Sequence, residues 1–392
     1  LVSCARLWPG NSRLMTKTEK LLRELIALPS VNPAFLPAQD PHAGERLVAD
    51  FLAVSAARAG LDLEIQRVAT DRSNVLAALS PKGKARQRIL LAPHMDTVGG
   101  TEIPGKLFTP KLRSGKLYGR GACDTKGSVA AMLSALMELA NLKSRPRETE
   151  IVFAGLVDEE CNQTGSRTLG ASGFKADLAI VGEPTMCEVV TAHKGVLWIR
   201  LLTHGKSAHG ARPELGRNAV HEMARVVETL ETDYARQLRR KSHPLLGQAT
   251  VNVGSIRGGK QPNIVPAECI ISVDRRTLPG EKIAAVIQEM KTLLNAKGLK
   301  IEFQRIQPFP CYSLETDDRA PLVQKFLQVT GQKRGTGVDY FSDAGVLAEY
   351  GIPSVLFGPG NIAQAHTPDE WIALSQLEKA KNLLLQFLQT LP

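Results

Sequence analysis

The chain has 392 residues, of which 43% are hydrophobic and 22% are charged, and its formal net charge is +10. This mixture is typical of a globular protein, and the length allows two domains. No apolar run approaches the ~18 residues of a membrane-spanning helix, and the first 14 residues lack the apolar stretch of a signal peptide. We therefore expect a soluble cytoplasmic protein without a membrane partner. We expect residues 1–14 to be an extra, disordered N-terminal segment.

The positive charge raises the question of a nucleic-acid partner. The basic runs at residues 82–88 and 236–241 contain no interleaved aromatic residues, and they lie between segments predicted to be structured. We interpret them as solvated surfaces and expect no nucleic-acid partner. The six cysteines are scattered and form no C-x-x-C pair, which disfavours both a disulfide framework and a thiolate zinc site. A reducing cytoplasm fits this pattern.

Helices and strands alternate along most of the chain. The periodicity predicts helices over residues 18–28, 43–60 and 126–142, the second of them ending at Gly60. Short apolar runs with strand character follow or separate them, at residues 88–93, 150–157, 177–182 and 353–358. This alternation predicts an α/β fold with a mainly parallel sheet and helices on both faces.

The middle of the chain has a different pattern. Strand-like runs begin at residues 195, 249 and 268, and helical patterns occupy residues 217–238 and 282–298. We expect residues 195–307 to form a smaller inserted α+β domain that acts in dimerisation or as a lid. Residues 15–194 and 308–392 would then form the catalytic, metal-binding domain.

Ionisable side chains follow the predicted strands at five places. They are His94 with Asp96, Asp124, Glu159 with Glu160, Glu183, and His366. Open α/β sheets build their sites just beyond the carboxyl ends of strands. Imidazoles together with carboxylates suit zinc and tolerate cobalt or manganese.

Each of these residues also has an ordinary structural explanation. Asp124 could be a helix N-cap, and the Glu159–Glu160 pair could interact favourably with the positive end of a helix macrodipole. A single histidine after a strand is usually a hydrogen-bonded structural residue. All five features follow predicted strands in the same way, and five unrelated structural roles would not produce such a pattern. The pattern therefore favours a divalent-metal site.

The motifs "HMD", "GRGACDTKG", "DEE", "GEPT" and "AHTPDEW" resemble those of a family of two-zinc metallopeptidases and amidohydrolases. The family includes acetylornithine deacetylase, succinyl-diaminopimelate desuccinylase, aminoacylase and glutamate carboxypeptidases. The resemblance extends over nearly the whole chain from Met15 and includes "GKSAHGARPELGRNAV" in the inserted segment. The runs "EPTMCEVVTAHKG" and "FGPGNIAQAHTPDEW" are most similar to acetylornithine deacetylase.

The resemblance implies a role for each of the motif residues. Asp124 would bridge two Zn²⁺ ions, which Co²⁺ or Mn²⁺ could replace. His94 and Glu183 would complete one metal site, and Glu160 and His366 the other. A shared carboxylate is also what two mutually repelling cations about 3.5–4 Å apart require.

Two further carboxylates receive roles beside the metal ligands. Glu159 is expected to be the general base that takes a proton from a metal-activated water. Asp96 is expected to accept the second imidazole N–H of His94 and so fix its tautomer.

The inserted segment would supply residues that contact the substrate. His209 resembles the family's donor to the developing oxyanion, acting within its own chain or from a partner subunit. Asn263 and Arg276 resemble the positions that hold a substrate carboxylate, although Arg275 could take the place of Arg276. A surface histidine in a loop is the ordinary alternative for His209.

These features predict a zinc-dependent hydrolase that cleaves the amide bond of an N-acyl amino acid and acts as a homodimer through the inserted domain. Alternatives within the family are a desuccinylase, an aminoacylase, and a metallo-carboxypeptidase or dipeptidase. From other classes, the alternatives are a non-catalytic binder of amino-acid derivatives and a polyanion-binding protein. The presence of Glu159 beside all five ligands disfavours the non-catalytic binder.

Overall fold

The computed structural model describes residues 14–100, 104–143 and 145–392. The prediction of a disordered segment at residues 1–14 falls, except for Leu14, outside these ranges. Within them the α-helices are α1 (Lys17–Ile26), α2 (Arg46–Arg58), α3 (Pro104–Leu107), α4 (Lys126–Ala140), α5 (Thr164–Ala171), α6 (Ala219–Thr229), α7 (Ala235–Leu238), α8 (Ile283–Ala296), α9 (Pro321–Thr330), α10 (Asp343–Glu349) and α11 (Leu374–Gln389).

The strands of the described ranges belong to one large sheet and three smaller ones. They are β1 (Asp62–Ala69), β2 (Arg72–Leu79), β3 (Gln87–Pro93), β4 (Lys111–Arg113), β5 (Lys116–Tyr118), β6 (Thr149–Gly155), β7 (Leu178–Gly182), β8 (Val190–His193), β9 (Gly195–His204), β10 (Ser242–His243), β11 (Gly247–Gln248), β12 (Thr250–Gly258), β13 (Glu268–Thr277), β14 (Glu302–Arg305), β15 (Leu314–Glu315), β16 (Thr336–Val338), β17 (Ser354–Leu356) and β18 (Trp371–Ala373).

The large sheet has the strand order β1-β2-β6-β3-β7-β17-β8-β15, and β16 pairs with β8. Its centre, β6-β3-β7-β17, is parallel, whereas β1, β2 and β15 pair in antiparallel fashion at the two sides. The predicted α/β class with a mainly parallel sheet is confirmed. The parallel centre matters for function because it directs several strand ends to one edge of the sheet.

Side chains of the central strands alternate between two cores. On β3, Ile89 and Leu91 pack into the core that includes residues of α1, α2, α4 and α11. Leu90 and Ala92 face the opposite core, which includes residues of α5 and α10. Because successive strand residues point to opposite faces, a strand covered on both sides must be apolar throughout.

The inserted segment (residues 195–307) contains a separate antiparallel sheet with the order β12-β13-β9-β14. This sheet packs with α6 and α8 around its own hydrophobic cluster, which includes Ile199, Met223, Ile271 and Met290. Between α6 and α7 the helix passes through a π-helical turn, Leu230–Tyr234. The exact domain boundaries at 194/195 and 307/308 stay a prediction.

Candidate active site

Three neighbouring parallel strands deliver the predicted site residues to one edge of the large sheet. His94 follows the last residue of β3, and Glu183 follows the last residue of β7. Glu159 and Glu160 come four and five residues after the end of β6. His94, Glu159 and Glu183 are buried, with relative exposures of 2%, 7% and 4%. The sheet therefore places carboxylates from two loops next to an imidazole from a third.

Asp124 lies between the two imidazoles. Its Oδ1 is 3.1 Å from Nε2 of His94, and its Oδ2 is 3.4 Å from Nε2 of His366. The same His366 nitrogen is 3.2 Å from Oε2 of Glu160. Ligand atoms of His94, Asp124 and Glu160 all lie within 4.8 Å of one another. The two oxygens of one carboxylate thus face two different groups of potential ligands.

The loop that carries Asp124 is held by Glu370, a buried residue for which no role was predicted. Its Oε1 accepts hydrogen bonds from the backbone N–H groups of Cys123 and Asp124, at 2.8 and 2.9 Å. Its Oε2 accepts from the backbone N–H of Gly121 and from Nη1 of Arg120. The only sequence signal for this role was the position of Glu370 inside the run "AHTPDEW".

Asp96 connects His94 to the two adjacent glutamates. Its Oδ1 and Oδ2 accept the backbone N–H groups of Glu159 and Glu160, each at 3.1 Å. Nδ1 of His94 is 3.0 Å from the backbone carbonyl oxygen of Asp96 and 3.4 Å from its carboxylate Oδ1. The nearer acceptor for the imidazole is therefore the backbone of Asp96, while its carboxylate mainly orders the glutamate turn.

A buried network of hydrogen bonds and ion pairs holds the carboxylate of Asp96 in place. Asn32 donates through Nδ2 to Asp96 and to Asp158, at 2.8 and 2.9 Å. Arg72 donates to Asp158 at 3.0 Å and pairs with Glu45. Because buried charges are costly unless they are paired, this network stabilises the turn between β6 and the glutamates only as an intact unit.

Burial and mutual repulsion raise the pKa values of the glutamates. Burial, with the charge of Glu183 next in importance, raises the pKa of Glu159 well above its usual range. Burial likewise raises the pKa of Glu183, and it raises that of Glu160 to about 7, helped by the charge of Asp124. The site therefore contains more negative charge than its own side chains neutralise.

Contacts between the two imidazoles and the carboxylates favour the charged forms of both histidines and of Asp124. Hydrogen bonds to Asp124 and Glu160 raise the pKa of His366 to about 10. Burial would lower the pKa of His94, but its contacts with Asp124 and Asp96 outweigh burial and raise it. Burial would raise the pKa of Asp124, but hydrogen bonds with the two histidines lower it below its usual range.

Two carboxylate oxygens in this cluster are buried without a hydrogen-bond partner, Oε1 of Glu160 and Oε1 of Glu183. An unpaired buried carboxylate oxygen costs free energy that a bound cation would recover. The imidazoles of His94 and His366, together with the carboxylates of Asp124, Glu160 and Glu183, also suit zinc and similar divalent ions. The residues present therefore fit a metal centre.

The three residues predicted from the inserted segment lie in other surroundings. His209 is exposed, and its Nδ1 accepts the backbone N–H of Ala211 at 3.1 Å. Asn263 is also exposed, and its backbone carbonyl oxygen accepts a hydrogen bond from the backbone N–H of Gly210. The two residues therefore share one surface of the inserted segment, and no hydrogen bond or ion pair of the described residues joins either side chain to the Asp124 cluster.

The two adjacent arginines face opposite sides of β13. Arg275 is fully buried and donates to Tyr234 and Glu281, so it belongs to the core of the inserted segment. Arg276 is partly exposed and forms a forked contact with Asp274, at 3.0 and 3.1 Å. Of the two arginines, Arg276 is the one available to a ligand.

Tyr340, in the loop between β16 and α10, and Asp343, the first residue of α10, were not predicted as site residues. Asp343 is buried, accepts a hydrogen bond from Ser166, and has an unpartnered Oδ2. Tyr340 has its hydroxyl oxygen 3.4 Å from the carbonyl oxygen of Pro184, next to Glu183. Burial and the negative charges of Glu183 and Asp124 raise the pKa of Tyr340. In the sequence, "VDYFSD" follows the polar run "GQKRGTG", so no apolar strand marked these residues as site candidates.

Comparison with known proteins identifies the family. Residues 90–390 match the family described as Peptidase family M20/M25/M40. The chain is 32% identical over 397 residues to acetylornithine deacetylase of Proteus mirabilis, covering 97% of each chain. It is 33% identical to the same enzyme of Edwardsiella ictaluri, covering 94% of this chain and 96% of that one. The chain belongs to the M20/M25/M40 peptidase family, as its motifs predicted, and is therefore a member of a hydrolase family.

Solved structures agree on the fold. A tripeptidase of Staphylococcus aureus superposes with a TM-score of 0.78 at 22% identity, covering 95% of this chain and 97% of that one. A metallo-carboxypeptidase of Sulfolobus solfataricus gives a TM-score of 0.76 at 20% identity, covering 96% and 99%. A dinuclear metal-binding peptidase of Bacillus subtilis gives 0.70 at 15% identity, covering 95% and 97%.

None of the helices in the described parts of the chain combines the length and the apolar character that a membrane crossing requires.

Proposed function

We propose that this protein is a metal-dependent amidohydrolase that cleaves the amide bond of an N-acyl amino acid, as acetylornithine deacetylase does. The observation that carries the proposal is the position of Asp124, whose two carboxylate oxygens face the buried His94 and the exposed His366, in a cluster that also contains the buried Glu159. The similarity over nearly full length to acetylornithine deacetylases supports the choice of substrate class.

The proposed metal centre would hold two zinc ions. Asp124 would be the shared ligand, His94 and Glu183 would complete one site, and Glu160 and His366 would complete the other. The unpartnered oxygens of Glu160 and Glu183 support this division, as does the structural neighbour from Bacillus subtilis, which is described as dinuclear. When bound, the two ions would polarise the substrate carbonyl and lower the pKa of a water molecule.

The chain's own residues perform the proton transfers in this proposal. Glu159 accepts a proton from the attacking water and returns it to the nitrogen of the departing amine. Burial suits this role because it raises the pKa of Glu159 toward that of the groups with which it exchanges a proton. Asp96 holds the backbone of the glutamate turn, so that Glu159 and Glu160 keep different directions.

The inserted segment contributes substrate recognition in this proposal. Arg276 and Asn263 hold the substrate carboxylate, and His209 donates to the developing oxyanion, from a partner subunit of a homodimer. The exposure of His209 and Asn263 on one surface supports donation across an interface.

The free thiols of Cys123, Cys161, Cys187, Cys269 and Cys311 fit a reducing cytoplasm.

A substrate panel tests the proposal. N-acetyl, N-succinyl and longer N-acyl amino acids, together with dipeptides, would be assayed with the purified enzyme loaded with zinc or cobalt. We expect fastest hydrolysis of N-acetyl amino acids with a free carboxylate and slow hydrolysis of their amides. Preference for succinyl substrates would indicate a desuccinylase, and preference for peptides would indicate a peptidase of the same family. Equal rates for acid and amide would contradict the carboxylate anchor.

A further inference from the structure

Residues 339–342 form the loop between β16 and α10. It follows β16, whose parallel partner is β8, and it leads into α10. Asp339 pairs with Nζ of Lys194 at 2.7 Å, and the ring of Phe341 meets Trp198 of the inserted segment edge-on, with centroids 6.2 Å apart. The loop is therefore held by contacts with Lys194, just before the inserted segment, and with Trp198 inside it.

Tyr340 lies between these two braced residues, and its hydroxyl is near the candidate metal ligands. The hydroxyl oxygen is 3.4 Å from the carbonyl oxygen of Pro184, which directly follows Glu183. This separation is longer than the usual O–H···O distance of about 2.5–3.0 Å. The carbonyl of Pro184 therefore competes only weakly for the hydroxyl hydrogen. A substrate atom that enters the cleft beside Glu183 could receive it.

The surrounding cluster is rich in acceptors. Asp124, Glu159 and Glu160 are carboxylates, and Nε2 of each neighbouring imidazole faces Asp124. Attack of water on an amide forms a C–O bond and shifts the carbonyl π electrons onto oxygen, which becomes negative. A preorganised neutral donor at that position stabilises the transition state more than the ground state. The phenol of Tyr340 is a neutral hydrogen-bond donor whose hydroxyl lies beside the residue that follows Glu183.

We propose that Tyr340 is a further catalytic residue, whose hydroxyl donates a hydrogen bond to the substrate amide oxygen as that oxygen becomes an oxyanion. The inference rests on the amidohydrolase function proposed above. Tyr340 keeps its proton throughout, since the water proton goes to Glu159 and then to the amine. The donor comes from the catalytic part of the same chain, which distinguishes Tyr340 from His209 on the inserted segment.

The substitution Tyr340→Phe tests this role because it removes a single oxygen and keeps the ring. We expect unchanged metal content, a kcat lower by about 10²–10³-fold, and a KM close to that of the wild type. A phosphinate analogue with a tetrahedral anionic centre should bind more weakly by a comparable factor in calorimetry. The free amino-acid product should keep its affinity. Tyr350→Phe, at an exposed tyrosine of α10's carboxyl end, is the matched control and should change none of these quantities.

Several results would overturn the proposal. A Tyr340→Phe enzyme with wild-type kcat and analogue affinity would show that the hydroxyl has no part in the reaction. Loss of metal, or equal weakening of analogue and product, would show that Tyr340 is structural. A wild-type enzyme that cleaves no member of the amide panel would instead contradict the proposed function, and the role of Tyr340 with it.

Discussion

Glu159 and Glu160 are neighbours in the chain, but their side chains have different surroundings. Oε2 of Glu160 is 3.2 Å from Nε2 of His366, whereas the pKa of Glu159 responds mainly to burial and to the charge of Glu183. Both backbone N–H groups are fixed by the one carboxylate of Asp96. The same turn therefore places Glu160 beside His366 and Glu159 in a separate buried environment, where it can act as the proposed general base.

The first prediction separates these tasks. Glu159→Gln should keep about two metal ions per chain and lose turnover by roughly 10²–10⁴-fold or more, because an amide cannot accept the proton. Glu160→Gln should instead lower metal occupancy, since it removes a charged ligand. Metal analysis of both purified variants, combined with turnover at saturating substrate, measures the difference. Equal metal contents would contradict the division of roles.

The second prediction concerns His193, which is buried away from the Asp124 cluster. Its Nδ1 donates to the backbone carbonyl of Lys194 at 2.9 Å, and its Nε2 lies 3.2 Å from Oγ of Ser342. Burial lowers the pKa of His193 from 6.5 to about 4. Between these two values the unfolded chain binds more protons than the folded chain, so the free energy of unfolding falls as pH falls, by up to about 1.4 kcal/mol per pH unit.

Chemical denaturation from pH 4 to 7 measures this dependence. His193→Gln should flatten the curve in that window relative to the wild type. Both proteins would be studied with a chelator present, so that loss of metal at low pH does not enter the comparison. Parallel curves for the two proteins would show that His193 does not titrate as its burial implies.

At the scale of elements, the loop before α4 depends on a residue far along the chain. Glu370, just before β18, accepts three backbone N–H groups of this loop together with one guanidinium N–H of Arg120. α4 itself packs against α1 and α11, so the helix is fixed independently of the loop. The position of Asp124 is thus set by Glu370 rather than by the helix alone.

The third prediction follows from that contact. Glu370→Gln replaces one acceptor oxygen by an NH₂ group that faces donors, so at least one buried N–H loses its partner. We expect the free energy of unfolding to fall by about 2 kcal/mol and zinc affinity to fall with it. Urea denaturation and metal titration measure the two effects. Glu349→Gln, at an exposed residue of α10, is the control and should leave both unchanged.

At the scale of the whole molecule, the inserted segment offers an open sheet edge. β12 lies at one edge of its sheet, most of its residues are exposed, and Ile256 is 54% exposed. An exposed edge strand can pair with a copy of itself across a twofold axis. Such a dimer is the arrangement that donation of His209 to a partner's site requires.

The fourth prediction tests this donation by mixing two inactive chains. A Glu159→Gln chain and a His209→Ala chain, co-expressed with different tags and purified through both, would form a heterodimer. If His209 acts across the interface, one site carries both defects and the other carries none, and the heterodimer should show about half of the wild-type turnover.

Activity no higher than that of the two parents would show that His209 serves its own chain or has no catalytic role. Light scattering after size-exclusion chromatography provides the control, because a monomeric protein would exclude donation between chains. This result would leave the proposed hydrolysis intact, since Glu159 and the candidate metal ligands come from one chain.

Although β1, β2, α9 and α11 were not predicted, local sequence patterns were enough to predict the helices α1, α2, α4, α6 and α8, the buried strands β3, β6, β7 and β17, and the candidate site at the strand ends. These features are local, because amphipathic periodicity and apolar runs report burial within a few residues. The convergence of His94, Glu160 and Glu183 could also be predicted, since parallel neighbouring strands end at the same edge.

The residues that hold and complete that site became visible only when distant parts of the chain were seen packed together. Glu370 and Asp124 are 246 residues apart in the chain, and Asn32 and Asp158 are 126 apart. Similarly, only packing decided that Arg275 is buried while Arg276 is accessible, and that Tyr340 lies beside Glu183. A hydrogen bond between distant residues depends on how whole elements pack, and short-range sequence patterns contain no record of that packing.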